Sequence, residues 1–369
     1  MPAPQPTVWI AEPHTLAKHA ILKGYLEAWF PILSRHRGRV VYFDGFAGPG
    51  RYSHGEDGSP VIALKVALAH RPALQAELVF TFVEERADRA AHLRSVEIPA
   101  LALPPNFKTQ VANGEFASVL GRALDALDAR GQQIAPTFAF VDPFGISGLP
   151  FSLVSRLLRR PRCEVLITFM TSTINRFVTE LPDHVNDLIG DDGAADIIAA
   201  ATDRVSTTRL LYQQALGRVA SHVRFFQMQD TRNLPVYDLF FATNHPLGLA
   251  KMKEAMWGVD ATGSYLFSDR TDPNQTILFT SEPGLDLARS LAVRFAGQTL
   301  TTQAIFREVL DSTPYLEKHA RDALGLLELA HDGLPPLRVE PLKVDGSKRR
   351  KGTFPEGVVL HFDRDKSDE

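Results

Sequence analysis

Residues 40–50, Val40-Val41-Tyr42-Phe43-Asp44-Gly45-Phe46-Ala47-Gly48-Pro49-Gly50, decide the fold of this chain. The apolar and aromatic run at the start of this stretch predicts a buried β-strand. The strand ends in an acid, and the spaced glycines that follow allow the backbone to turn tightly beneath a ligand. A strand and a glycine turn of this kind open the ligand site of an open α/β sheet.

Three classes of cofactor site use such a turn, and the spacing separates them. A dinucleotide site requires G-x-G-x-x-G, but Ser53 stands where the third glycine belongs. A phosphate-binding G-x-x-x-x-G-K-[ST], laid on residues 45–52, has Arg51 and Tyr52 in place of its lysine and hydroxyl residue. The spacing therefore disfavours both NAD and ATP.

The remaining pattern is D-x-F-x-G-x-G, which runs from Asp44 to Gly50. It resembles the cofactor loop of class I S-adenosylmethionine (SAM) methyltransferases, in which the acid faces the cationic amino acid moiety. The resemblance implies that Asp44, Phe46, Gly48 and Gly50 bind the cofactor. A ligand-free Gly/Pro turn is the alternative interpretation.

Two further strands place polar residues beside this loop. Residues 78–83 predict a second strand, and Glu84 follows it at the position where a carboxylate accepts hydrogen bonds from a ribose diol. Residues 107–111 predict a third strand, which leads to Asn113 and Glu115 near the expected adenine edge. Asn-Gly at 113–114 is also ordinary turn chemistry.

The fourth predicted strand, residues 137–141, ends in Asp142-Pro143-Phe144-Gly145. This ending resembles the [DNS]-P-P-[YFW] motif of amino-group methyltransferases, although the second proline is absent. The resemblance implies that Asp142 and the carbonyl of Pro143 hold a target nitrogen and that Phe144 stacks on its base. A structural strand end is the alternative.

Later segments complete a mostly parallel sheet, which binds ligands at the carboxyl ends of its strands. Strands are predicted at 164–170, 236–243 and 265–268, with a helical insertion at about 171–220. His245 follows one of these strands and is predicted to lie on the cofactor edge, near a substrate. A turn histidine satisfied by the backbone is equally compatible with the pattern.

A helix at residues 14–33 precedes the first strand. Lys18 and His19 on this helix are candidates to reach the cofactor or substrate. The alternative is a surface lysine beside a partly packed histidine.

The pattern changes after residue 284, so we predict an α/β domain at 1–284 and a winged-helix domain at 285–369. Helices at 301–311 and 315–331 precede strands at 337–344 and 358–362, with a basic loop between the strands. Such a hairpin tip and the second helix are the elements that meet nucleic acid in winged helices. The candidate contacts are Lys318, Arg321, Lys348, Arg349, Arg350 and Lys351. Use of this domain for protein contacts is the alternative.

Bulk composition sets further limits. The chain has 369 residues, is 44% hydrophobic and 22% charged, and carries a formal net charge of −3, so any nucleic-acid contact must be local. The single cysteine, Cys163, precedes the fifth strand, which excludes disulfides and argues against cytosine carbon-5 methylation. No ligand spacing for a metal occurs, and no apolar run is long enough for a membrane span. We therefore expect a cytoplasmic protein without a metal.

The combined motifs are similar to those of the three-Cys-motif partner (TcmP) family. The matching pieces are Lys18-His19 with Tyr25-Leu26 and Trp29, Asp44 to Gly50 followed by Gly58-Ser59-Pro60, Val141 to Gly145, and Phe241 to Gly248 with Lys251-Met252-Lys253. The resemblance implies a methyltransferase-like domain, a carboxyl-terminal winged helix, and a partner with three cysteines of the radical-SAM type.

The sequence thus predicts a SAM-dependent methyltransferase that acts on nucleic acid, with an amino nitrogen of a base as the favoured acceptor. Two alternatives stay open. One is a non-catalytic protein that binds SAM or nucleic acid, and the other is a methyltransferase for a small molecule or a protein.

Overall fold

Eight strands of the chain form one sheet in the computed structural model, which describes residues 6–35, 38–145, 148–270 and 282–363. The strands are β1 (Arg39–Asp44), β2 (Glu77–Glu84), β3 (Phe107–Asn113), β4 (Thr137–Val141), β5 (Cys163–Phe169), β6 (His222–Gln229), β7 (Pro235–Thr243) and β8 (Leu266–Ser268). Their order is β3-β2-β1-β4-β5-β7-β6-β8. β1, β2, β3, β4 and β5 are mutually parallel, whereas β7 is antiparallel to β5 and β6. This is the class I methyltransferase sheet predicted from the sequence, with β8 as an added edge strand.

Helices pack around this sheet, so its central strands are covered. They are α1 (Pro13–Leu33), α2 (Ser59–Ala69), α3 (Ala87–His92), α4 (Phe116–Ala129), α5 (Phe151–Leu158), α6 (Thr171–Phe177), α7 (Pro182–Ile189), α8 (Ala194–Ala200), α9 (Arg204–Gly217) and α10 (Pro246–Trp257). α1 packs on α2 and α10, and α4 packs on α5. β4 and β5 are buried along their whole length, as continuous apolar runs between two helical layers should be.

The second half of the sheet differs from the sequence-based prediction. The segments predicted at 236–243 and 265–268 are β7 and β8, but β6 was not predicted. β6 has the sequence HVRFFQMQ, whose arginine and glutamines interrupt the apolar pattern, and most of its residues are only half-buried. The stretch at about 171–220, predicted as a helical insertion, holds α6, α7, α8 and α9.

The chain divides into two units, Met1–Val259 with Tyr265–Thr271, and Asp260–Ser264 with Asp272–Glu369. The predicted domain limits, 1–284 and 285–369, stay a prediction, and a helix at Pro283–Arg294 crosses the boundary between them.

The second unit has the elements of a winged helix, as predicted. It contains α11 (Pro283–Arg294), β9 (Thr299–Thr301), α12 (Thr302–Ser312), α13 (Glu317–Glu328), β10 (Leu337–Val339) and β11 (Val359–Phe362). The strands form an antiparallel sheet in the order β10-β11-β9. β10 is shorter than the predicted strand 337–344, because Pro341 has no N–H to donate to a ladder.

Candidate functional site

The loop after β1 has the conformation that its glycines allow. Gly48 and Gly50 have φ values of +64° and +92°, which side-chain-bearing residues rarely adopt. A Cβ at Gly50 would lie 2.8 Å from Leu93 Cδ1, so a larger residue there would require the Leu93 side chain to shift. The N–H of Gly45 donates to the carbonyl of Phe140 on β4 at 2.8 Å, which fixes the start of the loop at the carboxyl edge of the sheet.

Asp44, the last residue of β1, is hydrogen-bonded to this loop. Its carboxyl group is fully buried and accepts hydrogen bonds from Tyr42 Oη at 3.2 Å and from the N–H of Phe46 at 3.3 Å. Burial raises the pKa of Asp44 to about 7, despite the hydrogen bond from Ser59. In this conformation Asp44 hydrogen-bonds to Tyr42 and to the loop backbone, and its role toward a cofactor stays a prediction.

Glu84 joins the end of β2 to the glycine loop. Its Oε2 accepts the N–H of Gly48 at 2.9 Å, and its Oε1 accepts the N–H of Arg86 at 2.8 Å. Burial is the main cause that raises the pKa of Glu84. Each carboxylate oxygen has a second lone pair, so Glu84 retains acceptor capacity at the predicted ribose position.

The residues predicted near the adenine edge also lie at this end of the sheet. Asn113 donates from Nδ2 to the carbonyls of Glu84 and Glu85, at 3.0 and 2.8 Å, and so holds the end of β2 against β3. Glu115 is exposed where α4 begins. The ring of Phe46 is half-buried and stacks on Phe116, with centroids 5.6 Å apart.

Asp142, at the carboxyl end of β4, forms an ion pair with α1. Lys18 Nζ lies 2.5 Å from Asp142 Oδ2, and the two side chains are 6% and 20% exposed. The ammonium of Lys18 also lies 5.2 Å from the ring centroid of Tyr237. Lys18 is therefore a buried partner of the predicted catalytic acid, and the alternative of a surface lysine is wrong.

His19 and Phe144 lie close to this ion pair. Burial, and next the charge of Lys18, lower the pKa of His19 to about 3, so its ring is neutral near pH 7. Its buried Nδ1 has no hydrogen-bond partner within the described ranges. Pro143 is buried, whereas Phe144 is 37% exposed and presents its ring at the surface.

Several residues at this edge were not predicted from the sequence. His14 Nδ1 lies 2.8 Å from Asp269 Oδ2, and Tyr237 Oη donates to the carbonyl of His14 at 3.1 Å. Trp9 packs between Tyr52 and Phe144, with ring centroids 5.4 and 5.8 Å away. The contacts of these residues were not visible in the sequence, because they join segments far apart in the chain.

His245 does not lie at the edge of the sheet that the sequence predicted. It was predicted on the cofactor edge, but β7 runs antiparallel to β5, so the end of β7 lies at the opposite edge. There, Thr243 Oγ1 donates to Glu164 at 2.6 Å, and His245 accepts the N–H of Leu247 as the N-cap of α10. His245 lines a separate cavity of about 520 Å³ together with Trp29.

The cations of the winged helix divide into two groups. Lys318, Lys348, Arg350 and Lys351 are exposed, as predicted for contacts with a polyanion. Arg349 is not, because its side chain is 6% exposed and forms an ion pair with Glu328, and its Nε donates to the carbonyl of Glu340 at 3.0 Å. The prediction that Arg349 contacts nucleic acid is therefore wrong for this conformation.

Arg321 is exposed like the first group of cations but has an acidic partner like Arg349. It pairs with Glu317 one turn earlier on α13, and stacks its guanidinium 4.8 Å from the ring centroid of Phe306. It presents a cation that is already partly neutralised.

Two further observations concern the part of the chain that the structure describes. None of its helices is long and apolar enough to cross a bilayer. No group of three or more histidine, cysteine or carboxylate side chains in these ranges is arranged to hold a metal ion.

One comparison with known proteins agrees with the winged-helix elements of the second unit. A family model described as a GMT-like wHTH (winged helix-turn-helix) domain matches residues 266–330. The chain has no significant match among curated proteins.

Solved structures give weak likenesses to part of this chain. Protein LPL1258 from Legionella pneumophila is 14% identical over 68% of this chain and 92% of that chain, with a TM-score of 0.40. Spermidine synthase from Thermotoga maritima is 11% identical over 63% and 61%, with a TM-score of 0.31. Magnesium protoporphyrin IX methyltransferase from Synechocystis, solved with bound S-adenosylhomocysteine (SAH), is 11% identical over 62% and 84%, with a TM-score of 0.32. Likenesses at this level carry no information on activity. The description of the sheet as methyltransferase-like rests on its own strand order and strand directions.

Proposed function

We propose that this protein binds SAM and transfers its methyl group to a nucleic acid, with an amino nitrogen of a base as the favoured acceptor. One observation carries the proposal: at one edge of the sheet, the glycine loop follows β1, Glu84 ends β2, and the Asp142-Pro143-Phe144 turn follows β4. Ligands of open α/β sheets bind at this edge, where the strand order reverses.

The residues at the edge fit the cofactor. Gly48 and Gly50 allow close approach of a ligand to the backbone, and Glu84 has free lone pairs for a ribose diol. Asn113 and Glu115 would border the adenine, while Asp44 would hold the loop in place from beneath. The orphaned Nδ1 of His19 is a buried polar atom that a ligand or water at this edge could satisfy. When bound, SAM would supply an electrophilic methyl group.

The acceptor would lie over the turn after β4. Phe144 offers an exposed ring on which a base can stack. Asp142, which is paired with Lys18, and the carbonyl of Pro143 would act as hydrogen-bond acceptors that orient an amino group. Positioning of this kind can supply a large share of a transfer rate.

The winged helix would provide the nucleic-acid contact. Lys348, Arg350 and Lys351 form an exposed basic wing, and Lys318 with Arg321 lies early in α13. Cations in a wing neutralise phosphates, and the second helix of such motifs approaches base edges. The likeness to the TcmP family adds a three-cysteine partner of the radical-SAM type to the proposal.

A specific observation favours a second candidate, a methyltransferase-like protein that binds SAM or nucleic acid without transferring a methyl group. Asp142 already has a cationic partner in Lys18, and the turn lacks the second proline of amino-group methyltransferases. A small molecule or a protein as acceptor is the remaining alternative, with the winged helix serving assembly.

Calorimetry with SAM and SAH tests the cofactor first. We expect Glu84→Gln to weaken SAH binding by about tenfold or more, since a hydrogen bond to a charged group contributes about 1.5–3 kcal/mol. Glu85→Gln is the matched control, because Glu85 is the exposed neighbour of Glu84, and it should leave binding unchanged. Absence of SAH binding to the unmodified protein would refute the proposal.

Methyl transfer is then assayed with isotopically labelled SAM on DNA and RNA. Asp142→Asn should abolish transfer while SAH still binds. Binding without transfer to any nucleic acid would instead support the non-catalytic alternative. Retention on DNA or RNA that falls with salt, and that is lost in a Lys348→Gln/Lys351→Gln variant, distinguishes nucleic acid from other acceptors.

A further inference from the structure

The segment before α1 crosses the proposed cofactor crevice. Residues 6–12, called here the N-terminal strap, are tied down at several points. Arg89 Nη2 donates to the carbonyl of Pro6 at 3.0 Å, and Thr7 Oγ1 donates to Asp88 at 2.6 Å. The N–H of Ser53 donates to the carbonyl of Trp9 at 2.9 Å. The strap is therefore bonded both to the helix after β2 and to the loop after β1.

Trp9 places its indole inside the crevice. A Cβ built on Gly48 would lie 3.6 Å from the indole, so the ring lies directly against the glycine loop. The guanidinium of Arg89 stacks on the indole at 4.3 Å from its centroid, and the rings of Tyr52 and Phe144 contact it edge-on. These neighbours follow β1, β2 and β4, the same three strands that bear the proposed site.

The position of the indole conflicts with a bound cofactor. Glycine at position 48 allows close backbone approach, but the indole already occupies that side of the loop. Arg89 is buried directly after the strand that ends in Glu84, where the ribose would be held. A flat aromatic ring with a cation stacked on its face resembles a bound nucleoside in shape and in its π-surface.

We infer that the N-terminal strap is a built-in competitor: the indole of Trp9 occupies the nucleoside part of the SAM site, and the cofactor must displace it. The inference rests on the proposed function and adds regulation to the same site. It follows that the apparent affinity for the cofactor is reduced by the fraction of molecules in which the strap is closed. A strap closed in nine molecules of ten reduces the affinity by about tenfold.

The test combines calorimetry with intrinsic fluorescence, using SAH as the probe. Trp9→Ala should bind SAH about tenfold more tightly than the unmodified protein. Ile10→Ala is the matched control, since Ile10 belongs to the same strap but is 58% exposed, and its affinity should not change. Thr7→Ala, which loosens the strap without touching the indole, should give a smaller gain of the same sign.

Fluorescence follows the indole itself. SAH should shift the emission of the unmodified protein to longer wavelength as Trp9 enters water, and Trp9→Phe should lack this shift. Weaker binding of SAH by Trp9→Ala would overturn the inference, because the indole would then cover the cofactor and not exclude it. Equal binding by both proteins with unchanged emission would overturn it as well. If neither protein binds SAH, the proposed function itself fails.

Discussion

Lys18 Nζ lies 2.5 Å from Asp142 Oδ2, and this ion pair joins α1 to the end of β4 across 124 residues of sequence. The two groups differ in their access to water, since Lys18 is 6% and Asp142 20% exposed. The charge left behind when its partner is removed is therefore less hydrated if it is Lys18 than if it is Asp142.

We predict an asymmetric loss of stability from this pair. Asp142→Asn strands a buried ammonium and should lower the free energy of unfolding by about 3 kcal/mol. Lys18→Met should lower the free energy of unfolding by less, because water can still reach the carboxylate of Asp142. The double variant should be more stable than the sum of the two losses predicts. Urea unfolding of the three variants measures the coupling, and strictly additive losses would contradict a direct interaction.

The raised pKa of Asp44 predicts a dependence of stability on pH. The folded protein holds this proton up to about pH 7, whereas the ordinary carboxyl value is 3.8, so the folded state binds more protons between these values. Stability from this group is complete below about pH 4 and is lost as the pH rises to about 7, by up to about 1.4 kcal/mol per pH unit. Asp44→Asn should lack that slope. Urea unfolding of both proteins at pH 5, 6, 7 and 8 tests this, and parallel curves would contradict it.

A comparison of Gly50 with Gly55, both in the loop after β1, distinguishes the energetic cost of backbone strain from the cost of crowding. Gly50 and Gly55 both have φ of +92°, but a Cβ at Gly50 would meet Leu93 at 2.8 Å, whereas nothing lies within 4 Å of one at Gly55. Gly55→Ala should therefore lower the free energy of unfolding by about 1 kcal/mol from strain alone. Gly50→Ala should lower the free energy of unfolding by about 1–3 kcal/mol more than Gly55→Ala does, because its Cβ overpacks the loop. Equal losses in thermal or urea unfolding would show that the glycine loop is less tightly packed than described.

The wing offers a comparison between a structural and a surface cation. Arg349→Met breaks the buried pair with Glu328 and should destabilise the winged helix by about 3 kcal/mol. Lys348→Met changes an exposed residue and should alter stability by no more than about 0.5 kcal/mol.

Nucleic-acid binding should depend on Lys348 more than on Arg349, the reverse of their effects on stability, if the proposed contact is correct. Lys348→Met should reduce the slope of log affinity against log salt by about 1, and Arg349→Met, measured below its unfolding temperature, should not. An unchanged slope for Lys348→Met would remove this residue from the interface.

The first half of the sheet was predictable because its signals are local. The runs that form β1, β2 and β4 are mostly apolar, and each ends in polar or glycine residues, so their order along the chain placed Glu84 and Asp142 at one edge. The glycine spacing identified the loop after β1 without knowledge of its contacts.

Partners and directions were not predictable, because they depend on tertiary structure. No local pattern shows that β7 runs antiparallel, and His245 was placed at the wrong edge for this reason. Arg349 resembled a free loop cation, since its partner Glu328 lies on another element. The hydrogen bonds of Asp44 to Tyr42 and to the N–H of Phe46 were likewise not visible in the sequence pattern.

The reversed direction of β7 has a consequence for how this scaffold can be varied. The connection from β6 to β7 opens at the same rim as the glycine loop, and Asp230 closes it as a short turn by accepting the N–H groups of Arg232 and Leu234. Leu234 of this turn is 50% exposed, whereas Asn233 accepts a hydrogen bond from Ser268 of β8 at 2.6 Å. Extra residues in this turn would therefore alter the rim of the sheet near β8, and an insertion that displaces Asn233 would also remove its hydrogen bond to that edge strand.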